Sequence, residues 1–401
     1  MMNTRSLPAR RARARAAVVA VLVAAVGGCS TIYQFLPVPP SFSLRSLWSG
    51  SKKPGPLPEL SPSASASVAW QASVGKAVPG FTPLPLGDAV YAGSADGTVS
   101  RLEAATGRSV WRASAGKNLS GGVGADDATV VVGTDKGEVI ALDAGNGNPK
   151  WTTRVATEVV APPRLGEGVA AVFAGDGSIT ALATKDGAKK WVNQRTAPSL
   201  TVRNYAGGTS TRGALFYGTA GGRLLAMDMT TGIVGWDATV ANPKGATELE
   251  RIADVTSRPV IDGPQVCAVA YQGRMGCFDV TRGSLNWSRD VSSLAGLAAD
   301  GKYVYVTDDK GAVHALDRST GASVWKQDLL AARKITGPVV VGDYVGVVDI
   351  EGYLHLLSIT NGAYVGRMAT DGTAPSSQPV QFGNRALWQS EGGNVYAVDA
   401  R

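Results

Sequence analysis

The chain of 401 residues holds three cysteines and two histidines. Cys267 and Cys277 lie on two apolar runs, 265–270 and 274–280, joined by Tyr271-Gln272-Gly273. A three-residue hairpin loop of this kind places its last glycine in the left-handed bulge position and pairs Ala270 with Arg274. That register sets Cys267 opposite Cys277 in a non-hydrogen-bonded pair, with Cα atoms ~4.5 Å apart. Two readings fit the placement. One is a cross-strand disulfide, favoured by an oxidising compartment. The other is two buried free thiols, since Ala141, Ala181, Ala226 and Ala315 stand where Cys277 does in related stretches. His314 and His355 each follow a glycine by three residues, at equivalent positions of two neighbouring stretches. Either they share a metal, which would need a third ligand, or they are polar positions on strands. No nucleophile elbow, HExxH helix, P-loop or calcium-loop spacing occurs in the sequence.

Cys29 has a different setting. Arg5, Arg10, Arg11, Arg13 and Arg15 precede an apolar run from Ala16 to Val26, which ends in Val26-Gly27-Gly28-Cys29. The run is too short for a permanent membrane helix and fits the core of a secretory leader, residues 1–28. The small residues before Cys29 match a lipobox, at which cleavage leaves Cys29 as a lipidated first residue. The alternative is an ordinary leader that happens to contain a cysteine. Ser30, in place of the Asp that favours inner-membrane retention, predicts the outer membrane, with the chain on its periplasmic face. Residues 29–65, rich in Pro and Ser, read as a flexible tether. Most of the net charge of +7 belongs to the leader: without its five arginines, 34 basic residues face 32 acidic ones. A near-neutral mature chain lacks the electrostatic footprint of a nucleic-acid binder.

The elements that position these residues repeat from residue 66 onward. A glycine closes one turn, a second follows ten residues later, and Trp comes four after that. The copies are Gly97, Gly107, Trp111; Gly137, Gly147, Trp151; Gly177, Gly187, Trp191; Gly222, Gly232, Trp236; Gly273, Gly283, Trp287; and Gly311, Gly321, Trp325. A seventh has Gly352, Gly362 and Gly366, and an eighth begins at Gly393 and runs out at Arg401. The stretch Val68-Ala69-Trp70 resembles Val110-Trp111 without the rest of its repeat. Each unit has strand patterns for a four-stranded antiparallel blade. The prediction is all-β: one eight-bladed β-propeller over 66–401, its last blade closed by the N-terminal strand. Tryptophans recurring at one position predict packing between blades rather than ligand platforms.

The unit Gly-x-(Val/Leu)-x-Ala-(Leu/Met)-Asp-x-x-Thr-Gly-x-x-x-Trp, clearest in 222–236 and 311–325, resembles the PQQ-like propeller repeat. Three stretches are similar more narrowly to the BamB family, lipoproteins of the outer-membrane β-barrel assembly (Bam) machinery. They are 198–203, Glu248-Leu249-Glu250-Arg251-Ile252-Ala253-Asp254-Val255, and Glu351-Gly352-Tyr353-Leu354-His355. The resemblance implies a non-catalytic scaffold with no cofactor. It implies a periplasmic POTRA domain of BamA as partner, and unfolded outer-membrane proteins as a second partner that would add a strand to a blade edge. The family's docking positions fall on Leu200, Val202, Arg203 and Asp254. Where the family often has a second acid two residues later, this sequence has Thr256. Arg203 is read either as pairing with BamA or as tying its loop to Asp254. The alternatives in function are a PQQ-dependent dehydrogenase and a periplasmic ligand-binding propeller. Against the dehydrogenase, the chain has no adjacent cysteine pair.

Residue spacing points to the same region. Most units are 38 to 41 residues apart, but Gly177 to Gly222 spans 45 and Gly222 to Gly273 spans 51. The surplus falls after Trp191 and after Trp236, between successive blades. Two long connections on one face of a rigid ring predict a binding patch.

Overall fold

A computed structural model describes residues 54–196 and 198–401. The leader, Cys29 and the tether up to residue 53 lie outside the described residues. Eight four-stranded antiparallel sheets form the propeller. Blades one to seven take their strands in order over 84–114, 119–154, 164–193, 209–239, 260–289, 296–327 and 339–369. The first strand of each is innermost, since these strands touch one another around the axis. The eighth blade combines Val380–Phe382, Arg385–Gln389 and Asn394–Ala400 with Ala66–Ser73 from the start of the domain. That strand pairs from Ala66 with Ala400 to Ser73 with Asn394, with a bulge between Val68 and Trp70. Apart from one 3-10 turn, Ala331–Arg333, the described secondary structure is all strand and turn.

The burial of each strand follows its place in the blade. Second strands such as Ala89–Gly93, Val169–Phe173 and Gln265–Val269 are buried at every position. Each is covered on both faces by adjoining blades, so small and β-branched residues run continuously. Outermost strands such as Ser109–Ser114 and Lys189–Asn193 are largely exposed and carry Arg112, Lys189 and Lys190. Such cations discourage edge-to-edge pairing with other chains.

The Gly–Trp spacing has a direct structural cause. The Trp111 indole crosses into the next blade, donates from Nε1 to the Ala144 carbonyl at 3.0 Å, and lies on Gly147. A Cβ at Gly147 would sit 2.8 Å from the ring, so a side chain there would expel it. The same contact joins Trp70 to Ala104 and Gly107, and continues around to Trp325 with Ile359 and Gly362. Each indole hydrogen bond contributes about 1 kcal/mol beyond the ring's burial.

The seventh unit has Gly366 instead of Trp because the next blade offers no such turn. Its outermost strand comes from the chain's start. Residues just before that strand occupy the space: a Cβ on Gly366 would lie 3.0 Å from the Ala64 carbonyl. The Ser63 and Ala64 amides both donate to Val365 O at 3.0 Å, and Ser65 exchanges backbone bonds with Arg401.

The expectation of a flexible tether to residue 65 is corrected over 54–65. This stretch runs along the outer edge of blade seven. Arg367 donates to Pro58 O at 3.3 Å, and Arg333 to Gly55 O at 2.5 Å. Backbone carbonyls of Gly55 and Pro58 accept from two arginines, and the Gly55 amide donates to Ala332 O at 3.0 Å, which holds a segment whose composition reads as linker. Arg333 is itself fixed by Asp349 at 2.6 Å and Glu351 at 2.6 Å, with Arg333 and Asp349 buried.

Blade five pairs Cys267 with Cys277 in the expected register. Their Cα atoms are 4.0 Å apart and their sulfurs are joined as a disulfide. The hairpin turn differs from expectation. Its left-handed residue is Gln272, with φ 48°, rather than Gly273. With its side-chain nitrogen turned toward the neighbouring connection, Gln272 is 3.2 Å from the carbonyls of Leu249, Glu250 and Ile252 and can donate to two of them.

Candidate docking surface

The two longest connections between blades are 194–208 and 240–259, flanking blade four on one face of the ring. The second is anchored by Ile252, Ala253 and Val255, all buried. Just before them the chain turns outward, presenting Leu249 at 51% exposure. Glu250 accepts from the Ala246 and Thr247 amides at 2.9 and 3.1 Å, and Glu248 pairs with Arg251, which stiffens the turn.

Asp254 binds the two connections together. It is buried at 2% exposure. Its Oδ2 accepts from the Val202 amide at 2.6 Å and its Oδ1 from the Gly221 amide at 2.9 Å. Burial raises the carboxyl above the ordinary aspartate value, against the downward pull of these two N–H groups. A second tie runs from Ser199 Oγ to Glu248 at 2.8 Å, and this bond is the main cause of the lowered Glu248 pKa. A third joins Asn204 Nδ2 to Gly218 O and Val255 O, both at 3.3 Å.

The four sequence-predicted residues therefore lie together but not alike. Leu200 is exposed on the first connection, Val202 half-buried, and Arg203 exposed. Arg203 does not pair with Asp254. It forms an ion pair with Glu158 of the preceding connection and lies 5.3 Å from the Tyr205 ring centroid. Asp254, being buried, positions Val202 instead of presenting its charge. Tyr205 and Leu249 extend the exposed apolar surface beside Leu200. Sequence reasoning left both unassigned, although Leu249 stands inside the stretch that carries the family likeness. A recess of about 290 Å³ opens beside Arg203, lined also by Glu158, Asp176, Tyr217 and Asp254. Thr256, which replaces the common second acid, is buried, and its hydroxyl has no hydrogen-bond partner.

His314 and His355 stay in separate blades. His314 Nε2 meets Asp308 at 2.8 Å, and His355 Nε2 meets Asp349 at 2.9 Å, each within its own hairpin. His355 also contacts the Tyr364 hydroxyl at 3.0 Å. Among the described residues, no three His, Cys, Asp or Glu side chains are grouped to hold a metal ion.

The sequence pattern of the family described as "Outer membrane protein assembly factor BamB" matches residues 95–327. A protein of that name from Burkholderia pseudomallei is 39% identical over 350 residues, covering 87% of this chain and 92% of the relative. The chain belongs to the BamB family. The crystal structure of BamB from Moraxella catarrhalis superimposes with a TM-score of 0.76 at 28% identity, over 83% of this chain and 99% of that one. Quinohemoprotein alcohol dehydrogenase from Comamonas testosteroni gives 0.63 at 14% identity, over 83% and 76% of the two chains, a likeness of fold alone. The expectation of a non-catalytic protein accords with relatives that are assembly factors by name. The two cysteines that bond to each other are ten residues apart, not adjacent.

Proposed function

We propose that this BamB-family chain is a lipid-anchored scaffold subunit of the Bam complex that docks on a POTRA domain of BamA and assists the folding and insertion of outer-membrane β-barrels. Cys29 carries the anchor, and the propeller works on the periplasmic face of the outer membrane. The observation that carries the docking site is the exposed Leu200 beside Arg203, on a connection braced from below by Asp254. An apolar anchor next to a cation, held on a rigid base, is the usual make-up of an interface centre. Leu249 and Tyr205 widen the apolar area, and the recess beside Arg203 accepts a protruding side chain of the partner. Unfolded barrel chains are a second partner. They would pair with an outer blade edge other than that of blade seven, which the 63–64 segment already covers.

The test is co-purification from detergent-solubilised outer membranes. The double variant Leu200→Ala, Arg203→Ala is expected to lose BamA while keeping wild-type thermal stability, since both side chains are exposed. Recovery of BamA at the wild-type level would remove the site. Photo-crosslinkers on the outer strands that capture BamA but never nascent barrel chains would remove the direct role with substrates.

A further inference from the structure

The propeller axis holds a cavity of about 260 Å³. Residues of blades one, two, three, five and eight line it, including Thr82, Val123, Pro162 and Val380, so it sits at the centre of the ring. Two arginines face it: Arg164, at the start of the innermost strand of blade three, and Arg258, just before that of blade five. No carboxylate is among its lining residues. Arg164 spends Nε on the Gly208 carbonyl at 2.6 Å, which leaves its terminal nitrogens uncommitted. Arg258 has neither an ion pair nor a hydrogen bond among the described residues. Asp262, four residues further on, is engaged by Arg318 at 2.8 Å. Both arginines are half-buried.

Like charges turned into one poorly hydrated space are unfavourable unless something of opposite sign enters. Burial, with the Arg258 charge adding to it, pulls Arg164 down to about 9, and burial lowers Arg258 as well. Both remain cations at neutral pH. A guanidinium presents paired N–H donors that match two oxygens of a phosphate or carboxylate.

We propose that the axial cavity binds a small oxyanion, a phosphate or carboxylate group held between the Arg164 and Arg258 guanidiniums. The cavity volume suits one such group with a few waters. Arg258 lies at the end of the 240–259 connection and Gly208, which holds Arg164, at the end of 194–208, so the site adjoins the roots of both connections.

The test is thermal unfolding of the full chain in detergent. Inorganic phosphate, and in a second arm acetate, is titrated against chloride at matched ionic strength. At about ten times the dissociation constant, the better anion is expected to raise the midpoint by about 2 °C and to saturate. The arm with the larger rise identifies the group. Arg164→Gln and Arg258→Gln should each weaken binding about tenfold or more. In chloride alone, Arg258→Gln should be at least as stable as wild type, because it relieves the repulsion. Arg258→Lys keeps the charge without the paired donors and should bind more weakly than wild type. Selenate soaked into wild-type crystals gives a reading that needs no variant: anomalous density between the two guanidiniums is expected. Absence of a rise in both arms, a rise that persists in both Gln variants, or an empty selenate map would overturn the proposal.

Discussion

Replacing Asp254 by alanine tests whether the two long connections are braced as described. The change removes the acceptor for two amides, Val202 N at 2.6 Å and Gly221 N at 2.9 Å. An orphaned donor costs about 1–3 kcal/mol where water is excluded. Val202 and Gly221 are half-buried, so water partly replaces the carboxylate and the lower end applies. Two such donors make a local cost of about 2 kcal/mol, equivalent to about a 30-fold change in an opening equilibrium. The effect belongs to the connection and not to the blades, because the Asn204 and Ser199 ties and the buried Ile252, Ala253 and Val255 remain. Hydrogen exchange read by mass spectrometry is the assay. Peptides covering Val202 should exchange about 30-fold faster in Asp254→Ala, with the strands of blade four unchanged. Co-purification with BamA should fall in parallel, although Asp254 itself is buried. Unchanged exchange at Val202 would refute the bracing, and lost docking without faster exchange would mean that Asp254 contacts the partner directly.

Cys29→Ala should yield a soluble periplasmic form; continued fractionation with the outer membrane would contradict lipidation at that residue. Unreduced mature protein alkylated under denaturing conditions should carry no label on Cys267 or Cys277, and Cys277→Ala should cost at most about 3 kcal/mol, since the loop closed is short. Two labelled cysteines would remove the disulfide. Burial holds the His355 pKa below its ordinary value of 6.5, so the unfolded chain takes up that proton more readily than the folded one. Stability from neutral His355 is present above pH 6.5 and is lost as pH falls through that value towards the folded pKa. The melting temperature should decline there in wild type and decline less in His355→Gln, and equal slopes would refute the assignment.

The ring was legible because one contact repeats. A Trp needs a bare glycine in the next blade, so both residues recur at fixed spacing, and the lone exception, Gly366, falls where the ring closes. The position of the docking surface was legible from surplus length after Trp191 and Trp236. Individual roles were not. Arg203 reads either as pairing with BamA or as tying its loop to Asp254, because nothing in the local sequence says that Asp254 turns inward to bind the amides of Val202 and Gly221. The Arg203 partner, Glu158, lies 45 residues away on another connection, and sequence spacing carries no trace of that meeting. The blade-five hairpin sets Gln272 rather than Gly273 in the left-handed region, against the local preference for glycine. The 54–65 segment looked like linker because proline and serine composition records only that a chain has no core of its own.

The grip on that segment has a mechanical meaning. The strand that closes the ring, Ala66–Ser73, is also the described strand nearest along the chain to Cys29, the proposed site of the lipid anchor. A pull on the lipid end would otherwise arrive at Ala66 and peel the strand from Asn394–Ala400 one pair at a time, the weakest direction in which to load a β-ladder. The bonds from Arg333 to Gly55, from Arg367 to Pro58, and from Ser63 and Ala64 to Val365 stand ahead of it. Force reaches them first and passes into blade seven through the buried Arg333–Asp349 pair. With the proposed anchor at Cys29, the segment acts as strain relief on a cable, taking up a pull from the membrane before it opens the seam.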